Sequence, residues 1–434
     1  MSILKQEQLL RLAWQIVDQL EAEGHEAYLV GGYVRDQLLG RSIKDIDIAT
    51  SARPEVVLAL FRRVEPTGLQ HGTCTVIVEG QPFEVTTFRS EAGYTDHRRP
   101  DEVRFIRDLR EDLSRRDFTM NAMAMSRAGE LIDPFGGASD LEGGILRTVG
   151  DPNERFGEDA LRMLRCIRFA AEYGLMIEPR TWQALLTLAP RIASIAAERI
   201  RAELERIIEG QAPARGMAHL SASRLLVHVK LKLPESLTHC EQILEDGQLD
   251  GWVDESEPAI RWARLFLAAR LSAAEAVSLM RRLTFPNRKS QAIARLIAIY
   301  RELETELAEH ESANRTGEQL QQGHIQLQRA WKLLVIRCGV EAADLLLRLL
   351  SSQVQLLAGW STLLEHGEGW LRQMPITSSA ELAIKGDQLL EAGLTPGPAL
   401  GRLITELVSA VALGELPNDQ QILLMESLRR QSGR

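Results

Sequence analysis

The sequence predicts a small α/β head followed by a long all-helical body. Three observations predict it. Strand-like runs are confined to the first 140 residues or so. After Asp140 those signals vanish, and Leu/Ala/Arg/Glu-rich amphipathic segments continue to the end. At 434 residues the chain is too long for one compact core, so about two to four domains are expected.

The head reads element by element. Tyr28, Leu29 and Val30 form a short apolar strand that Gly31 and Gly32 break. Val34 to Leu39 suits a helix that Gly40 stops. Lys44 to Thr50 reads as a second strand, with Asp45 and Asp47 on one face and Ile46 and Ile48 on the other. Two carboxylates held side by side repel, so one protonates or a cation sits between them. Magnesium takes oxygen ligands and usually brings substrate phosphates with it. Gly31 and Gly32, between strand and helix, suit a triphosphate cradle. The pattern GxxxxGK[ST] is absent, so this is no Walker loop.

Cys74–Val78 and Pro82–Phe88 read as two strands joined through Glu79-Gly80-Gln81. Glu84 alternates with Phe83 and Val85, which makes it a candidate third carboxylate beside the aspartates. The competing reading is an exposed strand carboxylate. Residues 89–101 are too polar for a core and read as a charged, flexible loop. Arg115-Arg116-Asp117 reads as the opening of a helix whose apolar face includes Phe118, Ala122 and Met123. Arg116 is a candidate phosphate ligand, because guanidinium matches phosphate oxygens.

Beyond the head, helices are expected over Glu158–Tyr173, Arg180–Leu188 and Ala197–Ile208. The first buries Ala160, Leu164, Ile167 and Ala171, and Gly174 ends it. Asp159 and Arg162 lie three apart on it. Their ordinary reading is surface ion pairing. Their sharper reading is a base template: the carboxylate accepts from an exocyclic amino group while the guanidinium donates to the adjacent ring nitrogen. Cytosine and adenine fit that edge. Uracil and guanine would leave polar groups unpaired, at about 1–3 kcal/mol each. Arg165 and Arg168 continue along the helix towards phosphates. Residues 304–326 read as helix or connection, and Pro396-Gly397-Pro398 as a tight turn before a helix.

Composition narrows the classes. Cys74, Cys166, Cys240 and Cys338 lie far apart without CxxC spacing, which argues against zinc or a disulfide framework and suits a reducing compartment. No signal-peptide core is visible, and no apolar run reaches 18 residues, so a cytoplasmic protein without membrane contact is expected. A net charge of −9 argues against non-specific coating of nucleic acid but permits a local basic groove. No protein partner is implied.

Taken together, these segments resemble the class II tRNA nucleotidyltransferases, the CCA-adding enzymes, with their relatives the bacterial poly(A) polymerases. The matching elements are LVGGYVRDQLLG with DID, His71–Thr73, FRSEAGYTDHRRPDEVRF, RRDFTMNAMA, DPFGG at 133–137 and EDALRMLRCIRFAAEYG, in order across 28–174. AERIRAELERI at 197–207, IKGDQLL at 384–390 and GLTPGPALG at 393–401 also fit. The resemblance implies a polymerase-β-like nucleotidyltransferase head over residues 1–140. A helical neck would span 141–212, a body 213–330 and a tRNA-binding tail 331–434. It implies two magnesium ions at Asp45 and Asp47. It implies triphosphate and sugar contacts from Gly32, Arg35 and Arg116, base selection by Asp159 and Arg162, and further nucleotide contacts from Arg165 and Arg168.

The implied reaction is attack of a tRNA 3′-hydroxyl on the α-phosphate of CTP or ATP, with release of pyrophosphate. The alternatives are addition of A alone beside a separate CC-adding enzyme, or a poly(A) polymerase. The long loop after Phe88 counts against a CC-only enzyme, and His71–Val78 departs from the basic strand of poly(A) polymerases. Full CCA addition is therefore the expectation.

Overall fold

A computed structural model of the chain describes residues 3–92, 102–245, 252–311, 317–351 and 358–432. It divides into two compact units, Met1–Glu241 and Gln242–Arg434.

The first unit is built on a seven-stranded sheet. Its strands are β1 (Ala27–Val30), β2 (Asp47–Thr50), β3 (Val64–Gly68), β4 (Thr73–Val78), β5 (Gln81–Thr87), β8 (Ala124–Met125) and β9 (Leu131–Ile132), in the order β3-β4-β5-β2-β1-β8-β9. Only β2 and β5 pair in parallel. Between these strands lie a two-stranded ribbon of β6 (Arg89–Ala92) and β7 (Glu102–Phe105). Of the expected charged loop over 89–101, residues 89–92 form β6 by pairing with β7, and 93–101 lie outside the described residues.

Each face of the sheet is covered for a sequence reason. Helix α1 (Ile3–Ala22) buries Leu12, Ile16 and Leu20 at helical spacing and packs on β1 and β2. Leu29, Ile48 and Val85 are buried in adjacent register on the strands. The opposite face is covered by a cluster of Val30, Ala49, Phe88, Leu109, Leu113, Ala122, Ala124 and Val149. The β4–β5 turn needs only Glu79 and Gly80, one residue fewer than expected, since Val78 pairs with Gln81. Both turn residues have positive φ, as a two-residue hairpin of the primed type requires.

Short helices α2 (Gly32–Leu38), α3 (Pro54–Leu60), α4 (Leu109–Ser114) and α5 (Gly137–Glu142) complete the head. Arg115-Arg116-Asp117 closes a helix rather than opening one: Arg115 is the C-cap of α4. Asp108 caps the start by accepting from Glu111 N at 3.1 Å, and Leu109 with Leu113 supplies the buried i, i+4 pair. Phe118 is then extended and bridges Thr148, leaving only a 3-10 turn over Thr119–Asn121.

Helices follow: α6 (Pro152–Glu158), α7 (Leu161–Tyr173), α8 (Pro179–Leu188), α9 (Ala197–Ile208), α10 (Pro213–Ser223) and α11 (Glu235–Thr238), with α12 (Glu241–Glu245) at the boundary between units. Strand signals do not end at Asp140. β10 (Ile145–Leu146) and β11 (Met176–Ile177) form a parallel pair. Two residues per strand are too few to show a period, so only tertiary pairing reveals them.

Among the described residues the second unit contains no strand. It comprises α13 (Pro258–Ala268), α14 (Ala273–Arg282), α15 (Asn287–Glu311), α16 (Gly317–Cys338), α17 (Val340–Ser351), α18 (Ala358–Arg372), α19 (Gly386–Glu391), α20 (Pro398–Ala412) and α21 (Gln420–Ser432). Trp331 is buried and donates Nε1–H to Gly367 O at 3.0 Å; Trp360 stacks on Tyr300 with centroids 4.9 Å apart. The Pro396-Gly397-Pro398 turn leads directly into α20. The four cysteines are free thiols. Among the described residues no helix is long and apolar enough to cross a membrane.

Gly137 marks the tightest backbone approach near the head's functional face. A Cβ built there would lie 2.2 Å from Thr119 O. Asp133 meanwhile ties the turn by accepting from Gly137 N and Ala138 N at 2.8 and 2.9 Å. Gly137→Ala is expected to destabilise the first unit by about 1–3 kcal/mol. A lowered urea midpoint checks this; an unchanged midpoint would show that the turn yields freely.

Candidate active site

β2 begins at Asp47, so Asp45 precedes the strand. The alternation nevertheless holds: Ile46 and Ile48 are buried while Asp45 and Asp47 are exposed. Parallel pairing places Glu84 of β5 directly beside Asp47, with Phe83 and Val85 buried beneath. Three carboxylates therefore occupy one edge of the site.

Asp47 carries the electrostatic consequence. Surrounding protein atoms withdraw water from its carboxyl, then the charges of Glu84 and Asp45 push further, and Arg116 offsets only part; its pKa is pushed up to about 6. Such a group is relieved by a hard cation. Among the described residues no three or more His, Cys, Asp or Glu side chains are grouped to hold a metal unaided. A cation at Asp45 and Asp47 would therefore complete its shell with water and phosphate, which fits a divalent ion that arrives with a nucleotide.

Arg116 borders the carboxylates. Its Nη2 lies 3.4 Å from Asp112 Oδ2 and its Nη1 3.5 Å from Asn121 O, whereas its buried Nε has no acceptor among the described residues. A phosphate oxygen would supply one. Gly31 makes room for this guanidinium: its φ is +65°, and a Cβ would stand 3.0 Å from Arg116 Nη1.

Asp112, with 1% of its side chain exposed, aims Arg116. It also accepts from Arg89 N at 3.1 Å and from Arg115 Nη2 at 2.7 Å. Burial pushes its carboxyl up, but Arg115 and then Arg116 hold it below the usual range.

Asp117 joins the sheet to α7. It accepts from Phe118 N at 2.9 Å, Asn121 Nδ2 at 3.0 Å, and Arg165 Nε and Nη2 at 2.7 and 2.6 Å. Burial alone would raise its pKa. The charge of Arg165, the hydrogen bonds from Asn121 and Arg165, and the charge of Arg162 outweigh that and bring it to about 2. Asn121 Oδ1 in turn accepts from Arg35 Nη1 at 2.7 Å.

Two further arginines of the expected site are held by protein partners. Arg35 is 7% exposed, bonded to Asn121 and Asp36, and lies over the Tyr173 ring at 4.4 Å. Arg168 is 8% exposed and pairs with Glu203 at 2.7 Å and Glu172 at 3.2 Å. Both guanidiniums are engaged by protein acceptors in the structure. Arg165 is shared between Asp117 and the Phe169 ring.

The expectation that Asp159 and Arg162 share a helix is also corrected. Asp159 is extended, at φ −141° and ψ 104°, in the break between α6 and α7. Arg162 pairs with Glu158, takes Arg155 O at 3.1 Å, and donates Nη2–H to Arg115 O at 3.2 Å. Asp159 instead meets Arg199 of α9, at 3.2 and 2.6 Å. Arg199, Asp112, Asp117 and Asn121 were not foreseen as site residues. Asp112 had a local signal, three and four residues before Arg115 and Arg116; Arg199, forty residues from its partner, had none.

Family models match three segments: "Poly A polymerase head domain" over 27–147, "Probable RNA and SrmB-binding site of polymerase A" over 174–235, and tRNA nucleotidyltransferase domain 2 over 255–426. The CCA-adding enzyme of Lactiplantibacillus plantarum is 37% identical over 413 residues, covering 94% of this chain and 93% of that one. The chain belongs to the CCA-adding enzyme family. The CCA-adding enzyme of Enterococcus faecalis is 36% identical, covering 96% of this chain and 95% of its own. The crystal structure of the Bacillus stearothermophilus CCA-adding enzyme in complex with CTP matches with a TM-score of 0.80 at 33% identity over 98% of each chain. Membership in this nucleotidyltransferase family accords with a divalent metal requirement.

Asp47 also sets a pH dependence. Its folded pKa of about 6 exceeds its ordinary 3.8, so the folded state holds a proton that the unfolded chain has already released. This contribution to stability is complete below pH 3.8 and is lost as pH rises through about 6. In chelator-treated protein, Asp47→Asn is expected to raise the thermal midpoint, more at pH 7 than at pH 4.5. A midpoint difference independent of pH would refute the crowding of Asp47.

Proposed function

We propose that this chain completes the 3′ end of tRNA by adding C, C and A from CTP and ATP, releasing pyrophosphate, with magnesium as its divalent cation. One observation carries the reading. Arg162 is fastened to the carbonyl of Arg115, one residue from Arg116. The group that reads the base and the group that meets the phosphates are thereby held in one frame, as a nucleoside triphosphate requires.

A cation bound at Asp45 and Asp47 would polarise the α-phosphate and acidify the attacking 3′-hydroxyl. The chain's own residues do the rest. Gly31 leaves the backbone open beside the phosphates, and the orphaned Nε of Arg116 takes a phosphate oxygen. Glu84 sharpens the demand of Asp47 for positive charge. Asp159 accepts the amino group that cytosine and adenine share, and Arg162 donates to the neighbouring ring nitrogen. Catalysis is positioning and electrostatics in a fixed frame.

The helical segments after the head take the tRNA. The match of 174–235 to an RNA-binding model supports this, as does the name of the model over 255–426. The relatives' name supports full CCA addition over A-only addition. Four free thiols suit the cytoplasm.

Transcripts ending before CCA, after C and after CC, each given CTP, ATP or both, test the specificity. All three are expected to reach the full CCA end. Extension of the CC-ended transcript alone would make this an A-adding enzyme; long adenosine tails would make it a poly(A) polymerase. Asp45→Ala is expected to cut addition at least about 100-fold, and a variant that still extends tRNA normally would remove Asp45 from the metal site.

A further inference from the structure

Arg199 contacts no nucleotide-facing carboxylate except Asp159, yet it decides how that carboxylate is presented. The donors around Asp159 are unevenly divided between its two oxygens. Oδ1 accepts from Leu161 N at 3.1 Å and from Arg199 Nη1 at 3.2 Å. Oδ2 accepts from Arg199 Nη2 at 2.6 Å. A carboxylate oxygen accommodates about two hydrogen bonds. Oδ1 is therefore full, and Oδ2 has room for one further donor.

The fork is held firmly. Arg199 stands in the first turn of α9, whose Ile200, Leu204, Ile207 and Ile208 are buried. Asp159 lies in the break between helices, where no helical hydrogen-bond ladder fixes its side chain. Two parallel N–H donors from one planar group fix a carboxylate's plane in a way that a single ammonium cannot.

We infer that Arg199 is a positioning residue for base selection, holding Asp159 so that one acceptor site on Oδ2 meets the exocyclic amino group of the incoming base. The inference rests on the reading of Asp159 and Arg162 as the base-selecting pair. In this arrangement the amino group of cytosine meets an acceptor, whereas the O4 of uracil meets an oxygen with no proton to give. Release of the fork lets the carboxylate rotate about its last bond, and the unfavourable oxygen–oxygen meeting is relieved. A merely structural role for Arg199 would lower addition of every nucleotide alike.

The test uses the full-length protein and a tRNA transcript lacking CCA. First-nucleotide kcat/KM is measured with CTP and, separately, with UTP for the wild type, Arg199→Lys and Arg199→Ala, with thermal melts to confirm folding. The CTP:UTP ratio is expected to fall at least about tenfold in both variants. Lysine, which keeps the charge and loses the fork, is expected to behave like alanine. An unchanged ratio, with both substrates reduced by one factor, overturns the inference, and so does full restoration of the ratio by lysine. A wild type that adds UTP as readily as CTP would instead refute the base-selecting pair itself, and one that adds neither would refute the proposed function.

Discussion

The frame of the candidate site depends on the buried carboxylate of Asp117, which ties the turn after α4 to α7. Its four acceptor positions are filled by Phe118 N, Asn121 Nδ2 and two nitrogens of Arg165. Burying an ion pair is costly unless its remaining positions are satisfied. Here they are, and the net effect is a carboxyl held near the bottom of its range despite burial. Removing one partner of such a pair typically costs about 3–5 kcal/mol, because the other charge is stranded. The pair spans 48 residues of sequence, from the turn after α4 to the middle of α7. That distance is what lets one interaction set the position of Arg162 relative to Arg116.

The carboxylates at the mouth of the site follow the opposite logic. Asp117 is saturated with donors, whereas Asp45, Asp47 and Glu84 face one another with Arg116 as the compensating charge. The fold holds them together anyway, because Ile46, Ile48, Phe83 and Val85 are buried on the other side of the same two strands. Apolar burial fixes the strand register, and register places like charges side by side. The repulsion is thus imposed by the core, offset in part by Arg116, and relieved further by a proton or a cation. Sites of this kind lower stability in exchange for function.

Local pattern made part of this legible in the sequence. The Ile/Asp alternation in 45–48, the helix stop at Gly174 and the apolar stripe of α7 were all readable, because each depends on neighbours within a few residues. Glu84 was readable as an outward carboxylate, but its place beside Asp47 depends on a parallel pairing between strands 37 residues apart. The helix break at Asp159 was hidden because Ala160 and Leu161 continue the apolar pattern and neither glycine nor proline interrupts 158–161. Arg115 was misassigned because the apolar residues after it are as numerous as those before it; the deciding cue was the Asp108 cap. Arg35 and Arg168 look like any surface arginine in a one-dimensional reading, and only the carboxylates and amide folded against them show that they are buried and paired.

The geometry also limits what the base-selecting pair can do. Under the proposed reading, one acceptor on Asp159 and one donor on Arg162 would separate cytosine and adenine from uracil and guanine. They cannot separate cytosine from adenine, because both present an amino group beside a ring nitrogen on the edge in question. An enzyme that adds two cytosines and then an adenine must therefore obtain the order elsewhere, from groups that respond to ring size or to the length of the growing end. The ribbon of β6 and β7 is rooted where such a response can be transmitted: Arg89 N, at its first residue, shares the Asp112 carboxylate with Arg115 and Arg116. Arg89 N is held by Oδ1 of that carboxylate and Arg116 by Oδ2, so the root of the ribbon and Arg116 share one buried side chain. Under the proposed reading, base class would be set by Asp159 and Arg162, and the order of addition by other groups.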